Sequence, residues 1–159
     1  MSSTIRKMEI ADLPAIDGVQ RAAFGEGFIE PMLKFEHILN QHDEAAFVAV
    51  LNDEIIGYML AYPSLAEQPD YDTRICQVNG DEPCLYIHDL CLHPDVHGKG
   101  VARALFGTMQ ELAVQNDFTQ MIGIAVQDSV PFWQKTGFTM LYPQTYNGES
   151  GQYMSKRLK

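Results

Sequence analysis

Apolar and polar positions along the chain fall into runs of two periods that alternate in a consistent order. Thr4 to Ile10 has the mixed pattern of a first strand. From Leu13, the apolar residues Leu13, Ile16, Val19, Ala23 and Phe24 follow helical spacing, with Asp12 as the expected N-cap and Pro14 in the first turn. Gly25 and Gly27 end that helix. Pro31 opens a second one, with Met32, Phe35, Ile38 and Leu39 on one face. Phe47 to Leu51 and Ile55 to Tyr62 are β-rich runs around Asn52-Asp53-Glu54, which predicts a hairpin, and Gly57 inside the second run is expected to mark a bulge.

Pro63 to Pro83 is polar, rich in turn residues and too long for an ordinary connection, which points to mobility or function. Cys84 to Leu92 reads as the central strand. A helix from Gly100 to about Asn116 places Val101, Leu105, Met109 and Leu112 on one stripe. Gln120 to Val126 is a buried-type strand, Pro131 starts a short helix that Gly137 ends, and Phe138 to Tyr142 and Gln152 to Leu158 close the chain as antiparallel strands. The order β-α-α-β-β-β-α-β-α-β-β predicts an α/β fold, a single domain over residues 4–159 built on a mixed sheet of about seven strands. Connections through helices in the second half require at least one parallel pairing there.

Composition narrows the function classes. The chain has 159 residues, 46% of them apolar, enough for an ordinary core. Its net charge of −10 argues against nucleic acid or an anionic membrane as partner, since both need a basic footprint. The same charge suits a cationic small molecule, and it also suits any acidic cytosolic domain. Cys76, Cys84 and Cys91 have no CxxC spacing and read as reduced thiols. Met1 to Lys7 lacks the apolar core of a secretory signal, and no apolar run approaches membrane-spanning length, so a cytoplasmic location is expected. The histidines are scattered, so no metal site is expected.

The chemistry concentrates in Leu85 to Ala102. A strand carrying His88 and Asp89 side by side runs into the turn His97-Gly98-Lys99-Gly100, which opens onto a helix. Free N–H groups at the positive end of a helix suit a phosphate, glycine keeps the backbone approachable, and Lys99 either reaches the phosphate or is a solvated loop lysine. A histidine titrates near neutral pH without tuning, which suits a base. The other reading of His88 is a strand histidine satisfied in place. Strict alternation sends Asp89 to the opposite face, so both line one pocket only if the strand is bulged. Asp89, at an ordinary carboxylate pKa, is expected to orient a group or meet a cation, and Cys91 to be a small buried residue. Phe24, Phe28, Tyr62 and Tyr71 are candidates for an acceptor pocket.

His97-Gly98-Lys99-Gly100-Val101-Ala102 resembles the cofactor motif [Gln/Arg]-x-x-Gly-x-[Gly/Ala] of the GNAT superfamily of acyl-CoA-dependent N-acyltransferases. A second block agrees: Ile124-Ala125-Val126, then Ser129-Val130-Pro131-Phe132-Trp133-Gln134-Lys135-Thr136-Gly137-Phe138. The order of elements is also the family's, so the resemblance covers nearly the whole chain and implies the family's fold, with helices on both faces of the sheet. The wording leans toward the arylalkylamine (serotonin) N-acetyltransferases, which share the Val-Pro-Phe-aromatic-Gln run and a histidine at the position of His88. The polyamine acetyltransferases, with a Glu-Asp pair at His88-Asp89, are a second comparison.

The resemblance implies acetyl-CoA as cosubstrate and a small cationic or arylalkyl primary amine as acceptor, attacking directly in a ternary complex. It implies that the N–H groups of Leu90, Cys91 and Leu92 meet the pantetheine arm and polarise the thioester. His97, Gly98, Lys99, Gly100, Val101 and Ala102 would cradle the diphosphate, and Ser129, Phe132 and Trp133 would lie along the cofactor. There are two departures. His97 replaces the usual Gln or Arg, and Trp133 stands where many members place the tyrosine that protonates the thiolate. An indole is no general acid, so Tyr142, Tyr146 or a water takes that step, or the thiolate leaves unprotonated. A protein N-terminus or lysine as acceptor, and a CoA-binding protein without turnover, are the competing readings. The expected assembly is a monomer or homodimer.

Overall fold

The computed structural model describes residues 3–24, 29–64, 84–145 and 149–158. Its strands are β1 (Thr4–Lys7), β2 (Ala46–Leu51), β3 (Glu54–Ser64), β4 (Cys84–Leu92), β5 (Gln120–Val126), β6 (Thr139–Pro143) and β7 (Gly151–Arg157). Its α-helices are α1 (Leu13–Phe24), α2 (Met32–Gln41), α3 (Val101–Gln115) and α4 (Val130–Lys135). The seven strands form one mixed sheet in the order β1-β2-β3-β4-β5-β7-β6. Residue contacts divide the chain into two units, Met1–Tyr62 with His88–Leu112 and Pro63–Ile87 with Ala113–Lys159. No helix among the described residues is long and apolar enough to cross a membrane.

In the first unit, α1 buries Leu13, Ile16 and Val19, and α2 buries Phe35, Ile38 and Leu39, as their helical spacing requires. Asp12 does not cap α1 as expected. The helical path starts one turn earlier, at a 3₁₀ turn over Ile10–Asp12 with Glu9 as N-cap, and the Asp12 carboxylate accepts the Glu9 N–H at 2.8 Å. Arg6 grips the same carboxylate at 2.8 and 2.9 Å, and that hydrogen bond holds its pKa below the ordinary value. The β2–β3 hairpin turns at Asn52 and Asp53, both at positive φ (53° and 64°), the pairing that a right-twisted two-residue turn needs.

Gly57 pairs with Ala49 while Ile55 pairs with Val50, so Ile56 is an extra residue and the expected bulge is present. The bulge brings β3 against the end of β4. The Ile56 carbonyl accepts the His93 N–H at 2.8 Å, and a Cβ on Gly57 would lie 2.7 Å from Leu92 Cδ2 and 3.2 Å from the Cys91 carbonyl oxygen. Gly57→Ala is therefore expected to destabilise the protein by about 1 kcal/mol, because the leucine can shift and the carbonyl cannot. Urea unfolding checks this, and an unchanged midpoint contradicts it.

In the second unit, β5 pairs in parallel with β4 over Cys84–Ile87 and antiparallel with β7 from Gln120 to Val126, and β6 pairs antiparallel with β7. The parallel pairing required by the helical crossover is thus β4–β5. Trp133 of α4 is buried between Phe132 and Phe138, with ring centroids 5.0 and 5.2 Å apart in edge-to-face contact.

Candidate active site

The site in the first unit starts from Gln20, a fully buried amide on α1. Its Nε2 donates to the Glu30 carbonyl at 3.0 Å and its Oε1 accepts the Glu30 N–H at 2.9 Å. This two-sided clamp fixes the peptide of Glu30 just before Pro31, the N-cap of α2. Glu30 Oε2 then meets two cation-forming groups, Lys34 Nζ at 2.8 Å and His88 Nε2 at 3.1 Å. Burial pushes the Glu30 carboxyl up, but His88 and Lys34 outweigh it and bring it down to about 2. Glu30 is thus ionised at any working pH. A carboxylate only accepts, so Nε2 carries a proton, and whenever the imidazole is neutral Nδ1 holds the lone pair.

The His88 side chain is 3% exposed. Phe35 of α2 meets its ring edge-on at 6.1 Å, and Tyr62 of β3 lies tilted against it at 6.0 Å. Tyr62 stacks in turn on His42. Phe35 also packs edge-on against Tyr58 at 5.7 Å, and the Tyr58 hydroxyl donates to Asp89 Oδ2 at 2.6 Å. His88 and Asp89 therefore both reach the ring set of Phe35, Tyr58 and Tyr62, which strict strand alternation forbids.

Asp89 departs from the ordinary carboxylate expected for it. Burial raises it from 3.8 to about 6, against the opposing pull of the Tyr58 hydroxyl, His88 and the Leu90 N–H. Burial and the Asp89 charge push the Cys91 thiol up to about 12, so it is the inert buried residue anticipated.

The two shifted carboxyls act on stability with opposite signs. Glu30 stabilises the fold above its ordinary value of 4.5, and that contribution is lost as pH falls through about 2. Asp89 binds its proton more tightly in the folded state, so its contribution is complete below 3.8 and is lost as pH rises through about 6. A shift of this size corresponds to ~3 kcal/mol. Asp89→Asn keeps an acceptor for Tyr58 and is expected to unfold at higher urea concentration than wild type at pH ~8, with the gap closing near pH ~4. A gap independent of pH contradicts the assignment.

Past β4, a 3₁₀ turn over Pro94–Val96, capped by His93 Nδ1 accepting the Asp95 N–H, leads to the glycine turn. Gly98 and Gly100 lie at φ +79° and +80°, in the left-handed region that favours glycine. The His97 and Lys99 N–H groups are taken by Pro94 and Val96, and the first helical bond runs from Ala104 to Gly100. The N–H groups of Val101, Ala102 and Arg103 therefore precede any intrahelical acceptor.

The other expected site residues lie in the second unit. Ser129 Oγ donates to the Val126 carbonyl at 2.6 Å, and Tyr142 is 39% exposed and stacks on Tyr153. Phe132 and Trp133 share the cluster with Phe138 already described. Phe24 is half-buried at the end of α1. Phe28, Tyr71, Cys76 and Tyr146, and most of the Pro63 to Pro83 stretch, lie outside the described residues. Among the described residues there is no group of three or more His, Cys, Asp or Glu placed to hold a metal.

Residues 13–138 match the acetyltransferase (GNAT) family. The chain belongs to that family. An uncharacterized N-acetyltransferase of Bacillus subtilis (strain 168), YkwB, is 29% identical over 133 residues, or 76% of this chain, and the chain spans 59% of that relative's length. The NatC complex bound to Gag peptide and CoA superposes with a TM-score of 0.79 at 14% identity, over 100% of both chains. Arylalkylamine N-acetyltransferase 2 from Aedes aegypti superposes with a TM-score of 0.76 at 15% identity, again over 100% of both chains. At these identities the two structures share the GNAT fold with this chain, which matches the mixed α/β sheet expected from the sequence.

Gln20, Glu30 and Tyr58 are the members of the cluster around His88 that sequence reasoning missed. Glu30 and Lys34 have the spacing of an ordinary pair at a helix start, and Tyr58 of one more aromatic in a β-run.

Proposed function

We propose that this chain is an acetyl-CoA-dependent N-acetyltransferase in which His88 takes the proton of an attacking primary amine. The observation that carries the reading is the buried His88–Glu30 pair. With Nε2–H held by an ionised carboxylate, the ring is fixed in one tautomer, Nδ1 is the basic atom, and Glu30 stabilises the imidazolium as it forms.

The residues of the turn fit a CoA diphosphate. Gly98 and Gly100 have open space where a Cβ would stand, the N–H groups of Val101 to Arg103 lie at the positive end of α3, and Lys99 and Arg103 are exposed cations beside them. Acetyl-CoA supplies an activated acyl group on a thiol leaving group. The Leu90, Cys91 and Leu92 N–H groups are the strand donors offered to the pantetheine arm and the thioester carbonyl. Cys91, held as a thiol, is no nucleophile for an acetyl-enzyme, which supports direct attack by the amine. A thiol of pKa ~8.5 leaves tolerably without a proton donor, so Trp133 in the tyrosine's place does not argue against turnover.

The acceptor we infer is a small arylalkyl or cationic amine, supported by Phe35, Tyr58 and Tyr62 around His88. The test offers acetyl-CoA with arylalkylamines, aliphatic diamines and short peptides, and follows acetylated product by mass spectrometry. Product from the arylalkylamines or diamines supports the reading, whereas product from peptides alone reassigns the acceptor.

A further inference from the structure

We propose that Tyr58 is a positioning residue: its hydroxyl, acting through Asp89, sets the charge beside His88 during proton transfer. The proposal rests on the transferase reading above and extends it to a residue that touches neither the turn nor His88's own carboxylate partner.

Tyr58 stands on β3, and its hydroxyl reaches across to Asp89 Oδ2 at 2.6 Å. Phe35 packs edge-on against both Tyr58 and His88, so the ring that braces the imidazole also braces the phenol that holds Asp89. The titratable groups facing Asp89 are Tyr58 on β3, His88 and Cys91 on β4, and Glu30 before α2. Tyr58 and Cys91 are both raised by burial and stay neutral across the working range, and Glu30 stays charged. Asp89 is then the carboxylate near His88 that changes charge within that range. Ionised, it stabilises an imidazolium forming at His88; protonated, it does not. The Tyr58 hydrogen bond favours the ionised form against the burial that opposes it. A buried carboxylate destabilises the fold at neutral pH, so retaining one here is consistent with a functional role.

The test is Tyr58→Phe, which removes only the hydroxyl, read in two ways. Carbon-13 NMR of the Asp89 carboxyl should show its titration moving up by about one pH unit. The acidic limb of kcat/KM for the amine should move up with it, so that activity is lost near pH 6.5 but regained at higher pH, an approximate window for such a shift. KM for acetyl-CoA should stay unchanged. In an Asp89→Asn background, Tyr58→Phe should have no further effect on the limb, a non-additivity that a purely structural tyrosine does not produce. Turnover with an unmoved acidic limb, or an Asp89 titration indifferent to Tyr58→Phe, overturns the proposal alone. A CoA-binding wild-type protein with no turnover on any amine overturns the transferase reading and this proposal with it.

Discussion

His88→Gln lowers kcat/KM for the amine by about 10²-fold and leaves CoA affinity unchanged, measured by initial rates and calorimetry on the same folded protein. The amine arrives as an ammonium ion and must lose a proton to attack, and glutamine retains a polar side chain of similar reach without a basic atom. The glycine turn proposed to hold CoA begins beyond β4, and its backbone bonds run to Pro94, Val96 and Gly100. Glu30→Gln should fall between wild type and His88→Gln, because the amide still meets Nε2 but no longer stabilises the imidazolium. Unaltered turnover in His88→Gln would reduce the residue to one more ring in the cluster of Phe35 and Tyr62.

Gly100→Val weakens CoA binding at least ~10-fold, or ~1.4 kcal/mol. The structure gives a more specific reason than a side chain pressed against phosphate. Gly100 sits at φ +80° with open space where a Cβ would stand, so the strain is conformational. A branched residue at positive φ is disfavoured by ~1–2 kcal/mol, and relieving that strain would turn the N–H groups at the start of α3 away from the diphosphate proposed there. Gly107→Ala, within the same helix and with open space around it, is the control and should bind CoA as wild type does. Equal CoA affinity in Gly100→Val and Gly107→Ala contradicts the turn's assignment.

The fold was legible wherever period and punctuation agreed. The expected spans of β4 and β5 coincide with those observed, because each is an apolar run bounded by polar or turn residues. Asn52-Asp53 and Gly57 announced the hairpin and its bulge through backbone chemistry alone. Asp12 misled because an acid before an apolar-periodic run has the form of an N-cap, whereas Arg6, brought close by β1, captures it. The 3₁₀ turn at Pro94–Val96 carries no periodic signal and was missed.

For the candidate site, the sequence offered residue types but not their partners. His88 stood out as a histidine on a strand before a phosphate-type turn. Its partner Glu30 lies 58 residues earlier, placed by a clamp from Gln20 that no local pattern announces. Alternation sends Asp89 to the far face unless the strand bulges, and it is the Tyr58 hydroxyl on its carboxylate that joins it to the rings around His88.

Release of free thiol from acetyl-CoA, with and without amine, tests the central claim most directly. The account predicts thiol release that requires the amine, matches acetylated amine mole for mole, and collapses in His88→Gln while CoA still binds. Thiol release without amine, accompanied by an acetylated protein, would contradict direct attack, and CoA binding with no thiol release from any amine would contradict the transferase itself.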